Sequence, residues 1–454
     1  MEERLDRSFR IGPIRPPSEA NSLLIQVTNG CTWNKCKFCQ LYRHTKFKAY
    51  SADSIRADID NIAYWAERVN KYRIAGPAGG SAGSAGNAVW DIDGINEELA
   101  ALTSDEERQS MYTTANWILS GGENVFLQDG NTTALSSGRL TDVLKYLRET
   151  FPHIKRVTSY GRAENLSRSS AEEYAELKAA GLDRIHSGYE SGSDAVLEQI
   201  NKGVTQKQQI QAGKAIKAGG IELSIYFMPG VGGKDLSLDN AVGTAEVINA
   251  VEPDFVRVRT AAVKPGTELY DDWQRGVFSL CSDDDKVREI REVIRLAGPN
   301  CRTRIVSDHM INLLQNVEGR LASGGGAGSV VSGACAPVAS GDGTPDVNGT
   351  GAPVVSGDKE RLLGLIDEYL GMPEADRRVF QLLRRTLRAY TLEDMHRLFG
   401  TGPQGQAGRS EQSGRSGQFN GSEQQELDSL RRTVMTYTDS DWDIQMNNYI
   451  CRYV

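Results

Sequence analysis

Three of the seven cysteines in this 454-residue chain lie within nine residues, as Cys31, Cys36 and Cys39. They follow a short apolar run, residues 22–27, which is typical of a β-strand. Three thiolates on one loop can hold three irons of a cubane iron–sulfur cluster and leave the fourth iron open. An open iron can bind and reduce a substrate or a cofactor. The spacing therefore predicts a redox-active site.

A structural zinc site is the alternative interpretation of the same loop. Zinc prefers four ligands, and His44 could join the three cysteines as the fourth. However, the loop follows the first strand of a strand–helix series, and active sites of barrels and open parallel sheets form at that edge. The position favours an iron–sulfur cluster over a zinc knuckle.

The first 310 residues alternate between short apolar runs and amphipathic stretches. Six runs are predicted as strands, at residues 22–27, 124–127, 156–159, 184–188, 223–228 and 255–259. Five stretches between them are predicted as helices, at residues 53–70, 140–150, 171–180, 205–218 and 240–250. Such alternation requires parallel strands with right-handed crossovers. We therefore expect an α/β fold, a partial (β/α)6 TIM-like barrel.

The remaining sequence predicts a C-terminal helical region and flexible Gly-rich insertions. Residues 75–88, 323–357 and 401–422 are rich in Gly, Ser and Ala, with too few apolar side chains to offset the entropy of ordering. Helical patterns occur at residues 286–296, 359–370 and 375–399. The expected organisation is an N-terminal extension (1–20), a barrel core (21–270), a helical extension (271–322), a linker (323–357), a helical region (358–400), a second linker (401–422) and a C-terminal tail (423–454).

Composition limits the class of protein. A net charge of -8 argues against a broad nucleic-acid surface, so nucleic acid is an unlikely partner that is not excluded. No run of about 18 apolar residues is present, and the N-terminus lacks the apolar core of a signal peptide. The other four cysteines are scattered, unlike a secreted disulfide framework. We expect a cytoplasmic protein without a membrane partner.

The cysteine loop, its place after the first strand and Phe38 before the last cysteine resemble those of radical S-adenosylmethionine (radical SAM) enzymes. That superfamily usually has three residues between its first two cysteines, whereas this chain has four. The chain is similar over residues 13–317 to uncharacterised radical SAM proteins with a Cys-Pro/Thr-Trp-Asn loop. The resemblance implies that Cys31, Cys36 and Cys39 ligate a 4Fe–4S cluster, and that S-adenosyl-L-methionine (SAM) binds beside it.

The resemblance also implies a site for the SAM ammonium group after the second strand. A literal Gly-Gly-Glu occurs at residues 121–123, but it precedes the strand and is therefore a decoy. The position after the strand carries Gln128, Asp129, Gly130 and Asn131, whose oxygens could accept hydrogen bonds from an ammonium group. An ordinary polar strand-to-helix turn is the alternative.

The resemblance assigns further SAM contacts to the third and fourth strands. Ser159 belongs to the segment after the third strand, and Glu190 lies in a Gly-x-Glu-Ser-Gly segment, where a carboxylate can take both ribose hydroxyls. Lys202 or Arg162 could pair with the methionine carboxylate, although a solvated lysine is the alternative for Lys202. Phe38 is expected near the adenine.

Two arginines on the sixth predicted strand are candidates for binding the substrate. Arg257 and Arg259 alternate with valines and so share one face. They could bind an acidic substrate or be ion-paired to carboxylates in the barrel. The five histidines form no pair at metal or triad spacing, and no catalytic residue is assigned.

The predicted function is reductive cleavage of SAM to a 5′-deoxyadenosyl radical that takes a hydrogen atom from a small or otherwise unknown substrate. An external flavodoxin- or ferredoxin-like protein would supply the electron. The alternatives are a zinc-stabilised binding or scaffold protein and an iron–sulfur electron-transfer protein.

Overall fold

The computed structural model describes residues 6–74, 89–323, 357–387 and 421–451. The Gly-rich stretches expected to be flexible lie outside the described residues over 75–88, 324–356 and 401–420, as does the second half of the helix predicted at 375–399. Among the described residues, no helix has the length and apolar character needed to cross a bilayer.

In the part of the chain that the structure describes, twelve strands form one large sheet and two small antiparallel pairs. In chain order they are β1 (Leu23–Gln26), β2 (Thr28–Asn29), β3 (Lys48–Ala49), β4 (Arg73–Ile74), β5 (Val89–Trp90), β6 (Asn124–Gln128), β7 (Arg156–Tyr160), β8 (Arg184–Glu190), β9 (Glu222–Phe227), β10 (Phe255–Val258), β11 (Arg304–Val306) and β12 (Glu318–Arg320).

Fifteen α-helices are described around these strands, besides two short 3-10 helices. They are α1 (Ala52–Asn70), α2 (Ile92–Ala101), α3 (Asp105–Leu119), α4 (Ser137–Thr150), α5 (Ala163–Leu166), α6 (Ala171–Ala179), α7 (Asp194–Gln199), α8 (Gln206–Ala218), α9 (Ser237–Val251), α10 (Glu268–Gln274), α11 (Asp283–Leu296), α12 (Lys359–Gly371), α13 (Glu374–Leu387), α14 (Gly421–Val434) and α15 (Asp439–Cys451). Side-chain caps define several helix starts, for example Ser51 at α1 and the capping box of Thr205 at α8.

The large sheet has the order β1-β6-β7-β8-β9-β10-β11-β12. All neighbours from β1 to β11 are parallel, and only β12 is antiparallel. The six predicted strands and the α/β partial-barrel class are confirmed. The chain adds β11 and β12 within residues 271–322, which the sequence suggested to be helical, because these three-residue strands carry charged Arg304, Glu318 and Arg320 instead of an apolar run.

The two faces of the parallel strands have different partners. One face joins the main apolar core under the helices, through residues such as Leu127, Ile185, Ile225 and Val256. Because side chains alternate along a strand, the residues between them face the barrel interior. The interior is therefore lined by a separate set of mostly aromatic and polar side chains.

The C-terminal region docks on the barrel through buried polar contacts. The Arg385 guanidinium on α13 donates to both carboxylate oxygens of Asp283, at 2.9 and 3.0 Å, and both side chains are almost fully buried. Helices α14 and α15 then pack on α13 through an apolar cluster that includes Val379 and Trp442. The segment expected to be a tail thus contributes two packed helices.

Candidate active site at the carboxyl edge of the barrel

The cysteine loop connects β2 and β3, a short antiparallel hairpin directly after β1. Cys31, Cys36 and Cys39 are free thiols, and all three are half-buried. The Cys39 amide donates to the Cys36 carbonyl at 3.1 Å, and the Arg43 guanidinium donates to the carbonyls of both cysteines at 3.1 Å. These bonds fix the backbone between the second and third cysteines.

Segments distant in the sequence hold the loop from outside. The Lys37 amide donates to the Ile200 carbonyl at 2.9 Å, and the Lys37 carbonyl accepts from the Leu269 amide at 3.0 Å. The Asn201 side chain donates to the Lys35 carbonyl at 3.0 Å. The loop is therefore held by chain segments that follow β8 and β10.

Trp33 provides another contact between the loop and the segment after β8. Its indole N–H donates to the Asn201 carbonyl at 2.7 Å. The ring lies against Gly203, where a Cβ atom would come within 2.5 Å of the indole and where φ is +67°. Only glycine combines that conformation with so close an approach.

The thiols share their site with two cations. Burial raises the pKa of Cys36 to about 11, the neighbouring Cys31 and Cys39 add to the increase, and the charges of Lys202 and Arg162 oppose it. The Cys36 thiol would therefore lose its proton on binding a metal, since a metal ligand must be a thiolate. Three thiols on one fixed loop beside two cations fit an iron–sulfur cluster that receives an anionic ligand.

Within the described ranges, no group of three or more Cys, His, Asp or Glu side chains is arranged to hold a single metal ion. A cubane cluster binds its cysteines through separate irons, so its ligands need not converge on one point.

Asp129 lies under the cysteine loop. Its carboxylate is fully buried and accepts a hydrogen bond from the Tyr42 hydroxyl, while the second oxygen has no hydrogen-bond partner among the described residues. Burial raises the pKa of Asp129 to about 6, against the lowering effect of its hydrogen bonds. The neighbouring Gly130 has no space for a side chain, because a Cβ atom would lie 2.9 Å from the Tyr42 ring.

Asn131 connects the cysteine loop to the segment after β7. Its side-chain amide donates to the Thr32 hydroxyl at 2.9 Å and to Asn165 Oδ1 at 2.7 Å. Its Oδ1 accepts from the Arg162 amide at 3.1 Å. The polar atoms of the Asn131 side chain are thus used in hydrogen bonds within the protein, one of which holds Thr32, the residue after Cys31.

Gln128 and Ser159 direct their polar atoms elsewhere. The Gln128 amide exchanges hydrogen bonds with the backbone of Gly12, at 2.8 and 3.1 Å, and donates to the Ile14 carbonyl at 2.5 Å. The Ser159 hydroxyl donates to the adjacent Tyr160 carbonyl at 3.2 Å. The structure does not bring these two side chains to the cysteines.

Glu190 and Lys202 form a buried ion pair beside the loop. The Lys202 ammonium lies 2.9 Å from Glu190 Oε1, and both side chains are about one-tenth exposed. Glu190 ends β8 with φ +65°, which turns its carboxylate back over Gly188. The ammonium also lies 5.5 Å from the centre of the Phe38 ring.

Phe38 lies between two apolar clusters at the carboxyl edge of the strands. One contains Val196 and Met228, and the other contains Val263 and Phe278. The half-buried ring is thus surrounded by the segments after β8, β9 and β10, and its contact with the adenine stays a prediction.

Sequence reasoning missed several residues that shape this site. Tyr42 donates to Asp129, Arg43 donates to the cysteine carbonyls, and Asn165 accepts from the Asn131 amide. Tyr42 and Arg43 could have been predicted from their position, because they follow Cys39 by only three and four residues and must lie close to the loop. Nothing in the spacing indicated Asn165.

The fold and the site together define a partial α/β barrel with thiols, cations and carboxylates gathered at the carboxyl ends of its strands, where barrel enzymes carry out their chemistry. Residues 104–239 match the family model described as the Radical SAM superfamily. These residues therefore form a radical SAM superfamily domain. Enzymes of this superfamily use a 4Fe–4S cluster and SAM, which confirms the predicted cofactors at the level of the superfamily.

Two curated relatives illustrate the similarity. The tRNA uridine(34) acetyltransferase of Methanocaldococcus jannaschii is 28% identical over 120 residues, which are 26% of this chain and 22% of the relative. The heme chaperone HemW of Bacillus subtilis is 25% identical over 202 residues, 44% of this chain and 51% of the relative. This chain thus spans between about a quarter and a half of the length of these relatives.

Among solved structures, the archaeal Methanocaldococcus infernus Elp3 with an N-terminal deletion is 20% identical, with a TM-score of 0.34 over 41% of this chain and 48% of that chain. The family match begins at residue 104, after the cysteine loop, so the ligand role of the three cysteines stays a prediction.

Proposed function

We propose that Cys31, Cys36 and Cys39 ligate the 4Fe–4S cluster of this radical SAM domain. When bound, the cluster supplies the electron that splits SAM into methionine and a 5′-deoxyadenosyl radical, which then takes a hydrogen atom from a substrate in the barrel. The observation that supports this proposal most directly is the convergence of the Cys36 thiol with Lys202 and Arg162 at the strand edge.

The residues around the thiols have the chemistry to bind SAM. The Glu190 carboxylate suits the two ribose hydroxyls, and Lys202 or Arg162 suits the methionine carboxylate. The unpartnered Asp129 oxygen suits the methionine ammonium group. Phe38 offers an apolar surface to the adenine.

Four other residues predicted to contact SAM have structural roles in this proposal and do not touch the cofactor: Gln128, Gly130, Asn131 and Ser159. Asn131 and Gln128 position the segment after β6, because their amides are used by the protein itself. Gly130 lets that segment approach Tyr42. Ser159 lies fully buried in the wall of the barrel.

The surface beside the cysteines fits an acidic electron-donor protein such as a flavodoxin or a ferredoxin. Residues 20–52 contain five cationic residues and no Asp or Glu, although the whole chain carries a net charge of -8. Lys35, Lys46 and Lys48 are exposed, while Lys37 and Arg43 pair with carboxylates on or near α10. A positive patch steers an acidic partner to the edge where the electron must enter.

Small molecules are the favoured substrate class, since the acidic balance of the chain disfavours a polynucleotide. The name of one relative refers to tRNA and that of another to haem, and each chain match covers only part of the relative. Nucleic acid is therefore not excluded.

Anaerobic reconstitution with iron and sulfide tests the proposal. The wild-type protein should bind about four irons, lose its visible absorption with dithionite and produce 5′-deoxyadenosine from SAM. Single Ala substitutions of Cys31, Cys36 and Cys39 should abolish stable iron binding. Matched substitutions of the buried Cys281 and Cys301 should retain it. Stoichiometric zinc without iron uptake would contradict the proposal, and an intact reduced cluster without SAM cleavage would indicate electron transfer alone.

A further inference from the structure

The interior of the barrel contains a continuous row of rings on four neighbouring strands. The ring centres of Phe126 and Tyr160 are 5.0 Å apart, those of Tyr160 and His186 are 5.9 Å apart, and those of His186 and Tyr226 are 6.0 Å apart. The strand residues on either side of these rings, such as Leu127, belong to the outer core. The row is therefore an inner wall, distinct from the core under the helices.

Two guanidinium groups extend from the next strand toward this wall. Arg257 is only 9% exposed, and its Nε donates to the Ser224 hydroxyl at 3.2 Å. Its nearest carboxylate is the half-exposed Asp308, at 3.7 Å, so its charge is only partly neutralised. Arg259 follows the end of β10 and is exposed, and its guanidinium has no hydrogen bond or ion pair with any described residue.

The wall also holds buried polar atoms without partners among the described residues. They are Thr158 Oγ1 and His186 Nδ1, whereas the Tyr226 hydroxyl shares a hydrogen bond with the Tyr160 hydroxyl. Thr158 and His186 are fully buried, and each unmet hydrogen bond there costs about 1–3 kcal/mol. Burial lowers the pKa of His186 to about 4, so the imidazole is neutral at physiological pH and acts as a hydrogen-bonding group. These atoms are suited to a polar ligand.

The opposite end of the barrel is closed. Glu19 is fully buried there, accepts from the Ser22 hydroxyl at 2.5 Å and lies 3.4 Å from His186 Nε2. Arg184 lies 4.0 Å from the same carboxylate. A ligand must therefore enter from the carboxyl edge, where the cysteine loop lies.

Taken together, these features place a buried polar wall beside two incompletely neutralised cations. We propose that this part of the barrel interior binds a small molecule with a carboxylate or phosphate group, held by Arg259 and Arg257. The remaining polar groups of the ligand would contact Tyr226, His186 and Thr158. The inference rests on the proposed function, because it assigns the substrate class of the same enzyme.

Titration calorimetry on the whole chain tests the inference without loading the cluster. The probes are succinate, inorganic phosphate and the uncharged analogue succinamide. Wild type should bind at least one of the two anions and not succinamide, and the better anion identifies the group. Arg259→Met should weaken that binding at least tenfold. The matched variant Arg139→Met, which removes an exposed arginine on α4, should bind like wild type.

Several outcomes would overturn the inference. The inference is wrong if the wild-type protein binds neither anion, or if the Arg259→Met variant binds anions as tightly as wild type. If Arg259→Met instead loses S-adenosylhomocysteine, the arginine serves the cofactor and not the substrate. Failure of iron uptake would contradict the proposed function alone, since anion binding is measured on the protein without its cluster.

Discussion

The ammonium group of Lys202 lies 2.9 Å from the carboxylate of Glu190, and this pair lies next to the thiol of Cys36. Both side chains are largely buried, and burying either charge without its partner would cost several kcal/mol of unfolding free energy. The pair can thus be stable before SAM arrives and can change partners when SAM offers a carboxylate and two hydroxyls.

We expect Lys202→Met and Glu190→Gln each to destabilise the protein, by about 3 kcal/mol for the lysine, since each leaves a buried partner unpaired. Both variants should lose S-adenosylhomocysteine binding in calorimetry. The double variant should recover part of the unfolding free energy without recovering binding. Recovery of both properties in the double variant would show that the pair has only a structural role.

The exposed lysines beside the cysteines should control reduction by an acidic donor. Replacing Lys35, Lys46 and Lys48 with Gln should slow reduction of the reconstituted protein by flavodoxin about tenfold at low salt, because electrostatic steering is lost. The rate should also become less dependent on ionic strength. Stopped-flow absorbance of the cluster measures both effects.

A matched triple variant provides the control. Lys145, Lys207 and Lys214 are exposed on α4 and α8, so replacing them with Gln removes the same charge away from the loop. Equal slowing in both triple variants would assign the effect to net charge and not to a docking surface. Dithionite should reduce all three proteins at similar rates.

Glu289 on α11 gives the fold a pH dependence. Its carboxyl accepts from the Gly230 amide at 2.9 Å, from the Ser237 hydroxyl and from the Asn240 amide, both at 2.7 Å. Burial nevertheless raises its pKa to about 7, from an ordinary value of 4.5. The folded protein therefore keeps a proton between pH 4.5 and 7 that the unfolded chain releases, and this contribution to stability is lost as the pH rises through that window.

The contribution of Glu289 to the unfolding free energy should decrease by about 3 kcal/mol as the pH rises from 4.5 to 7. Urea denaturation of wild type and Glu289→Gln across this window isolates the effect, because the variant has no proton to lose. Glu176→Gln, at an exposed position on α6, should retain the wild-type slope. An unchanged slope in Glu289→Gln would refute the raised pKa.

Asn447 on α15 attaches the C-terminal helices to the barrel edge. Its side chain pairs with the Val263 backbone, accepting from the amide at 3.0 Å and donating to the carbonyl at 2.8 Å. Asn447→Ala leaves the buried Val263 amide without a partner and its carbonyl with only the weak Cys451 thiol donor, at 3.3 Å, so we expect a loss of about 2 kcal/mol in the unfolding free energy. Hydrogen exchange of α15 should become faster, whereas the exposed neighbour Asn448→Ala should have no effect.

The sequence predicted those features that depend on local pattern. Six parallel strands followed from apolar runs separated by helical stretches, and the cysteine loop followed from its spacing. Short β11 was missed because tertiary pairing with β10, not its own residues, makes it a strand. The use of Gln128 to hold Gly12 was equally invisible, since it depends on residues 116 positions apart.

The remote anchors of the cysteine loop have a consequence for how the protein matures. A chain is synthesised from its N-terminus, so the three thiols leave the ribosome well before Ile200, Asn201 and Leu269, which hold their loop in shape. In the proposed cluster site, iron loading would therefore follow folding of the barrel. Until then the thiols, which are synthesised first, are exposed to oxidation. An active enzyme would therefore require a reducing environment and rapid folding.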